Sequence, residues 1–149
     1  MIKQLKTPVL LTLLVAVLFF VLPGCAYVTG EAVTVPAPVP AITNVSPAQA
    51  DNLIKSNQTN TRLVILDVRT PQEYADGHLM NAINLDLNSA DFTGEVGRLN
   101  KSLTYLVYCR SGNRSAAAAK IMLELGFKSV YNMTGGITEW QAAGLPVVK

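Results

Sequence analysis

The chain has 149 residues, within the size of one domain, and half of them are hydrophobic. Its formal net charge is only +2, without a basic stripe or interleaved basic and aromatic residues, so nothing in the sequence indicates nucleic-acid binding. The chain contains only two cysteines, Cys25 and Cys109.

The N-terminus has the pattern of an export signal. Lys3 and Lys6 precede an apolar stretch from Val9 to Leu22, which is shorter than the roughly 18–20 apolar residues of a membrane-spanning helix. We therefore predict a signal peptide over residues 1–24. The segment Leu22-Pro23-Gly24-Cys25 resembles a bacterial lipobox, which implies cleavage before Cys25 and lipidation of Cys25. An ordinary cleaved signal, or an uncleaved anchor with an incidental Cys25, is the alternative.

The lipobox resemblance has consequences for location and charge. Stable anchoring needs at least two acyl chains, and bacterial lipoproteins of this kind carry two or three. Ala26 follows Cys25 where the inner-membrane retention signal has aspartate, so in a Gram-negative cell we expect attachment to the outer membrane, facing the periplasm. Without Lys3 and Lys6 the 12 basic residues fall to 10, equal to the 10 acidic ones. Lipidation of Cys25 would leave Cys109 without a disulfide partner.

A proline-rich segment follows. Residues 25–45 include "TVPAPVPAI", which favours an extended tether of roughly 3.1 Å per residue. The end of this segment, Ile42 to Val45, is alternatively a first edge strand. The globular domain is predicted over residues 46–149.

Strands and helices alternate from Ser46 onwards. Two capping boxes with proline at the first helical position, Ser46-Pro47-Ala48-Gln49 and Thr70-Pro71-Gln72-Glu73, predict two helix starts. Further helices are predicted from Ser115 to Leu125 and from Ile137 to Ala143, and 91–103 as a partly helical connection. Strands are predicted at 63–66, 82–85, 105–108 and 129–131. Apolar strands that alternate with helices predict an α/β fold in three layers, with a mostly parallel central sheet.

The loop after the third of these strands carries the chemistry. Ligands bind beyond the carboxyl ends of parallel strands, and Cys109 is the first residue after Tyr108. A helix N-terminus and positive charges favour the thiolate, the reactive form of cysteine. The loop supplies a tight turn, two guanidinium groups and three polar side chains that we expect to donate inward: Gly112, Arg110, Arg114, Ser111, Asn113 and Ser115. We expect a reactive, partly exposed thiol; the alternative is a buried structural cysteine beside solvent-facing arginines.

Three motifs in order make the family resemblance specific. The loop "CRSGNRS" resembles the active-site loop of the single-domain rhodaneses, which are sulfurtransferases. "DVRTPQEYADGHLMNAINL" is similar to the N-terminal signature of that family and "VYNMTGGITEW" to its C-terminal signature, so the resemblance covers residues 46–149.

The resemblance implies sulfur transfer in two steps. A Cys109 thiolate takes sulfane sulfur from an anionic donor such as thiosulfate, and the persulfide passes it to cyanide or a thiol. The loop from Arg110 to Ser115 would bind the donor, with Arg110 and Arg114 as anion clamps, and no metal or organic cofactor is implied. A binding module of the cell envelope that carries or senses sulfur without turnover is the alternative.

Loop length argues against a related activity. Phosphatases that share this fold have a Cys-x5-Arg loop sized for phosphate, whereas Cys109 and Arg114 form Cys-x4-Arg. Four nearby residues are predicted to be structural: His78 in a turn, Trp140 in the core, Asp67 capping backbone amides and Arg69 paired with Glu73.

Overall fold

The computed structural model describes residues 41–149. Strands and helices alternate along this part of the chain: β1 (Ala41–Val45), α1 (Pro47–Ser56), β2 (Leu63–Asp67), α2 (Pro71–Asp76), β3 (Ala82–Asn84), α3 (Phe92–Gly97), β4 (Thr104–Tyr108), α4 (Asn113–Glu124), β5 (Ser129–Met133) and α5 (Gly136–Ala142).

The five strands form one parallel sheet in the order β1-β5-β4-β2-β3. β4 is the central strand, and its residues from Tyr105 to Tyr108 are buried, as expected of a parallel sheet covered on both faces. Since all strands run the same way, the segments after β2, β4 and β5 meet at one edge of the sheet. The three resembling motifs are therefore brought together there.

Helices cover both faces of the sheet. On one face, Ala118, Ala119 and Met122 of α4 and Phe92 and Val96 of α3 pack against strand residues. A second cluster on the other face joins α1 and α5 to the sheet through Ala50, Ile137 and Trp140. This arrangement confirms the three-layer α/β prediction.

Local sequence signals placed the starts of α1 and α2 accurately. Both predicted capping boxes are present, with Ser46 accepting from the Gln49 amide and Thr70 from the Glu73 amide. α4 begins at Asn113, two residues before the predicted start, because Gly112 in the left-handed region (φ 95°) turns the chain directly into the helix.

Residues 41–45 form a strand. The sequence assigned them to the tether, with an edge strand over Ile42 to Val45 as the alternative. β1 pairs in parallel with β5 along all five of its residues, from Ala41 against Ser129 to Val45 against Met133. The sheet therefore includes residues 41–45, which the predicted boundary assigned to the tether.

The N-terminal predictions lie outside the described residues. They are the signal over residues 1–24, lipidation of Cys25 and the tether up to residue 40. Among residues 41–149, no helix has the length and apolar character required to cross a bilayer.

Candidate active site

Cys109 lies at the carboxyl end of the central strand, as predicted, but it is buried. Its exposed fraction is 1 %, whereas the sequence indicated a partly exposed thiol. The loop to Gly112 folds back over the sulfur, and Ser115 in the first turn of α4 closes the other side. A buried cysteine was the structural alternative, so the environment of the sulfur decides between the two interpretations.

The sulfur is surrounded by hydrogen-bond donors. The Gly112 amide donates to Sγ at 3.1 Å, and the Ser115 hydroxyl oxygen is 3.6 Å from Sγ. Burial by itself raises the pKa of the Cys109 thiol, but the Ser115 hydroxyl and the backbone amides of Ser115, Ser111 and Gly112 together lower it below the ordinary value. The site therefore favours an anionic sulfur although it is shielded from water.

The N-terminus of α5 holds the loop in this orientation. The Ile137 amide donates to the Cys109 carbonyl at 2.9 Å, and the Thr138 amide donates to the Arg110 carbonyl at 3.1 Å. These bonds draw the loop carbonyls toward α5, which leaves the following amides free to face the sulfur. A Cβ at Gly136 would overlap both carbonyls, so only glycine permits this close approach.

Gly112 is required for a related reason. Its φ of 95° is in the left-handed region, and a Cβ there would lie 3.1 Å from the Gly135 nitrogen and 3.2 Å from the Thr134 Cα. The active-site loop and the turn before α5 thus pack backbone against backbone. The double glycine Gly135-Gly136 lies in the segment that resembles the C-terminal signature, and its position directly after the last strand was the signal in the sequence for this role.

The polar side chains of the loop do not all face the sulfur. Only Ser115 is buried and directed at the site, whereas Ser111 and Asn113 are exposed. Ser111 contributes its backbone amide instead of its hydroxyl. The prediction that all three side chains donate inward is therefore wrong for Ser111 and Asn113, because in so tight a turn the amides, not the side chains, point at the centre.

Arg114 is held by a carboxylate. Its two terminal nitrogens donate to the two carboxylate oxygens of Glu73, at 2.8 and 2.7 Å. The hydrogen bond from Arg114 lowers the pKa of Glu73 to about 2. Any anionic donor at Arg114 has to share the guanidinium with Glu73, so Arg114 is a weaker clamp than the sequence indicated.

The predicted pair between Arg69 and Glu73 is wrong. Arg69 pairs with Asp67, with Nε 2.9 and 3.0 Å from the two carboxylate oxygens, and both side chains are buried. Asp67 also accepts from the Arg69 amide at 2.9 Å, in keeping with its predicted capping role. Asp67 is closer to Arg69 in the sequence than Glu73 is, and the side chains of Asp67 and Arg69 are buried together. Glu73 on α2 faces the first turn of α4 instead.

Arg110 faces an open pocket of about 270 Å³. Its guanidinium makes no hydrogen bond or ion pair within residues 41–149, which leaves it available to a ligand. The pocket is lined by Arg69, Glu73, Asp76, Arg110, Ile137, Thr138 and Gln141. Two other pockets lie beside the C-terminal half of α1 and include none of the loop residues.

His78 and Trp140 occupy structural positions. His78 stacks on Tyr74 with ring centroids 3.8 Å apart, and its backbone pairs with Val148. Trp140 is 3 % exposed and donates from Nε1 to the Pro146 carbonyl. The backbone of His78 and the side chain of Trp140 thus help to fix the C-terminal segment.

Comparison with known proteins gives the same family. Residues 46–143 match the family described as Rhodanese-like domain. A protein named sulfurtransferase from Allochromatium vinosum is 33 % identical over 103 residues, which cover 65 % of this chain and 94 % of that protein. The thiosulfate sulfurtransferase GlpE of Coxiella burnetii is 34 % identical over 98 residues, 66 % of this chain and 86 % of that protein.

Solved structures agree on the fold. A rhodanese-related protein from Thermoplasma volcanium superposes with a TM-score of 0.59 at 32 % identity, covering 71 % of this chain and 97 % of that one. A Rhodopseudomonas palustris protein described as a possible tyrosine phosphatase superposes with a TM-score of 0.60 at 29 % identity, covering 72 % and 85 %. The signatures, the fold, the cysteine loop and the match over residues 46–143 together show that this chain belongs to the rhodanese-like domain family.

Proposed function

We propose that this protein is a sulfurtransferase that carries sulfur as a persulfide on Cys109. The observation that carries the proposal is the environment of the Cys109 sulfur. This sulfur lies at the end of the central strand, among a hydroxyl and three backbone amides that lower the pKa of the Cys109 thiol. Relatives that are named sulfurtransferase or thiosulfate sulfurtransferase support the same reaction class.

The reaction needs no external oxidant or reductant. The Cys109 thiolate attacks the outer sulfur of a donor such as thiosulfate; a new S–S bond forms, the bond to the sulfite sulfur breaks, and sulfite leaves with the electron pair. Cyanide or a thiolate then attacks the terminal sulfur and releases the Cys109 thiolate. The amides of Ser111, Gly112 and Ser115 stabilise the negative charge on sulfur before and after each transfer.

Arg110 is the residue best placed to attract an anionic donor. It is exposed at the pocket beside the loop and is not engaged by a carboxylate of the described residues, whereas Arg114 is paired with Glu73. Donor recognition would therefore depend mainly on Arg110, with Arg114 supporting the loop.

Intact mass after incubation with thiosulfate tests the first step. We expect a gain of one sulfur, about 32 Da, on the wild type and none on Cys109→Ser. Addition of cyanide should remove that mass and produce thiocyanate catalytically. Sulfur loading without turnover would favour the carrier module instead, and failure to load from any sulfane donor would contradict chemistry at Cys109.

The cellular location is a separate proposal. The lipobox-like segment supports export with lipid attachment at Cys25, followed by residence at the outer membrane facing the periplasm. Mass analysis of the N-terminal peptide from cells tests it: we expect a diacyl or triacyl group on Cys25, which Cys25→Ala abolishes. A mature chain that keeps residues 1–24, or that starts elsewhere without lipid, would contradict this proposal.

A further inference from the structure

Asn132 is a buried polar residue to which the mechanism above gives no role. It lies on β5 and is 3 % exposed. The buried polar side chains of residues 41–149 form two pairs, Asp67 with Arg69 and Ser115 with Asn132. The second pair touches the reactive sulfur, so its hydrogen bonds bear directly on the state of Cys109.

A continuous row of hydrogen-bonding side chains runs from the sulfur to β1, the edge strand of the sheet. Ser115 Oγ is 3.6 Å from Cys109 Sγ and donates to Asn132 Oδ1 at 2.6 Å, and Asn132 Nδ2 donates to Asn44 Oδ1 at 2.9 Å. The strand register explains the alignment, because Asn132 is paired with Asn44 on one side and with Val107 on the other. Cys109 follows Val107 by two residues and so shares its face of the sheet.

The Ser115 hydroxyl has one proton and several acceptors. Asn132 Oδ1 at 2.6 Å, the Gly112 carbonyl at 3.0 Å and the Cys109 sulfur at 3.6 Å are all within its reach. While the proton points to Asn132, it does not stabilise a thiolate. When it turns to the sulfur, Oδ1 and Oγ face each other at short range without a proton between them, which is unfavourable for two oxygens.

An amide can resolve this conflict by turning over. A carboxamide keeps its shape when oxygen and nitrogen exchange places, and Asn132 is flanked by a hydroxyl and by a second carboxamide, that of Asn44. If both amides turn, Asn44 Nδ2 donates to Asn132 Oδ1, Asn132 Nδ2 donates to Ser115 Oγ, and the Ser115 proton is free for the sulfur. The contacts between Asn44 and Asn132 and between Asn132 and Ser115 are hydrogen bonded in both arrangements.

We infer that Asn132 and Asn44 are positioning residues that form a two-state relay, which directs the Ser115 proton to Asn132 when Cys109 is a thiol and to the sulfur when it is an anion. No covalent bond changes in the relay. The proton that Cys109 loses on ionisation goes to water. The hydrogen bonds between Asn44 and Asn132 and between Asn132 and Ser115 reverse direction, and the Ser115 hydroxyl then donates to the sulfur.

The relay adds a function to β1, the edge strand. In turnover it would matter at each return of Cys109 to the thiolate, and in this respect the inference rests on the proposed function. Two of the charged groups around the sulfur are paired, whereas the exposed Arg110 has no ion-pair partner among the described residues. Arg114, whose charge interacts with Cys109, is neutralised by Glu73 and also interacts with Asp86, while Asp67 at the end of β2 is paired with Arg69.

Asn44→Asp tests the relay from its exposed end. A carboxylate at position 44 only accepts, so it fixes Asn132 with Nδ2 outward and Oδ1 toward Ser115, which keeps the Ser115 proton from the sulfur. We expect the pKa of Cys109, measured from the pH dependence of iodoacetamide alkylation, to rise by about one unit, equivalent to about tenfold slower alkylation below the pKa.

Thr43→Asp is the matched control. Thr43 is also exposed and adjoins Asn44, but neighbouring side chains of a strand point to opposite faces, so the new carboxylate carries the same charge without reaching Asn132. We expect its alkylation rate to stay within about twofold of the wild type at raised salt, where exposed charges are screened. An equal shift in both variants would overturn the relay in favour of a simple charge effect.

The Ser115→Ala background completes the test. Without the hydroxyl, Asn44→Asp should no longer change the pKa of Cys109, whereas a persistent shift, or no shift in any background, would overturn the inference. Thermal unfolding of each variant ensures that only folded proteins are compared. Alkylation requires no sulfur donor, so a wild type that fails to load sulfur from thiosulfate counts against the proposed function and leaves the result on the relay intact.

Discussion

Arg114 and Glu73 are 41 positions apart in the sequence and are joined by two parallel hydrogen bonds. Glu73 also accepts from the backbone amide of Thr70, as the N3 residue of the capping box that starts α2. One carboxylate therefore ties the start of α2 to the first turn of α4, beside the active-site loop. This link makes Glu73 part of the support of the site.

The first prediction concerns acid stability. The pKa of Glu73 in the folded protein is about 2, below its unfolded value of roughly 4.3, so its contribution is present above the unfolded pKa and is lost as the pH falls through about 2. Glu73→Gln keeps a capping-box residue but loses the charge. We expect the free energy of unfolding near pH 7 to fall by about 1 kcal/mol, a modest value because both side chains are partly exposed.

Urea unfolding at a series of pH values measures this effect. The stability of Glu73→Gln should depend less on pH between about 5 and 2 than that of the wild type. Asp76→Asn removes an exposed carboxylate from the end of the same helix and is the control. Parallel pH curves for the wild type and Glu73→Gln would show that the pair does not stabilise the fold.

Local signals in the sequence were sufficient for most of the fold. The two capping boxes, the buried apolar strands and Cys109 at a strand end are all short-range patterns, and each has its predicted place. Both β1 and the extent of α4 depend on contacts with distant segments, namely β5 and the turn before α5. Such contacts leave little trace in a window of neighbouring residues.

The site was predictable in its composition but not in its partners. The sequence identified the loop from Cys109 to Ser115, yet a guanidinium can pair with any carboxylate that the fold brings near, so Arg69 was assigned to Glu73 instead of Asp67. The inward direction of the loop amides depends on hydrogen bonds from the backbone amides of Ile137 and Thr138, and almost any residue type at these two positions would supply such an amide. Side-chain direction in a tight loop follows from the backbone, which explains why Ser111 and Asn113 were misplaced.

The second prediction concerns the ionisation of Cys109. Since hydrogen bonds outweigh burial at this sulfur and lower the pKa of Cys109, alkylation of the native protein by iodoacetamide should rise with pH through a midpoint below that of the unfolded chain. Ser115→Ala should raise the midpoint by about one unit. The protein unfolded in urea is the reference, and a native thiol that is inert, or that titrates at or above the unfolded value, would contradict the proposed mechanism.

The third prediction compares two glycines with similar backbone conformations. Gly136 has φ 58° and Gly144 has φ 72°, but a Cβ at Gly136 would overlap the carbonyls of the active-site loop, whereas nothing lies within 4 Å of one at Gly144. We expect Gly136→Ala to lower the free energy of unfolding by about 3 kcal/mol or more and Gly144→Ala by about 1 kcal/mol. Chemical unfolding of both variants measures the difference, and equal losses would mean that the close packing on α5 is not needed.

The fourth prediction concerns recognition of an anionic donor. Arg110 is exposed at the pocket beside the loop, so Arg110→Ala should raise the KM for thiosulfate about tenfold while the turnover number changes less, because the charge attracts the donor but is not bonded to the sulfur. Raised salt should increase the KM of the wild type more than that of the variant. Steady-state thiocyanate formation measures both parameters, with Lys120→Ala, on the exposed side of α4, as a control of equal charge change. An unchanged KM in Arg110→Ala would indicate that the donor binds to Arg114 instead. Arg114 would then have to release Glu73 in order to bind the donor.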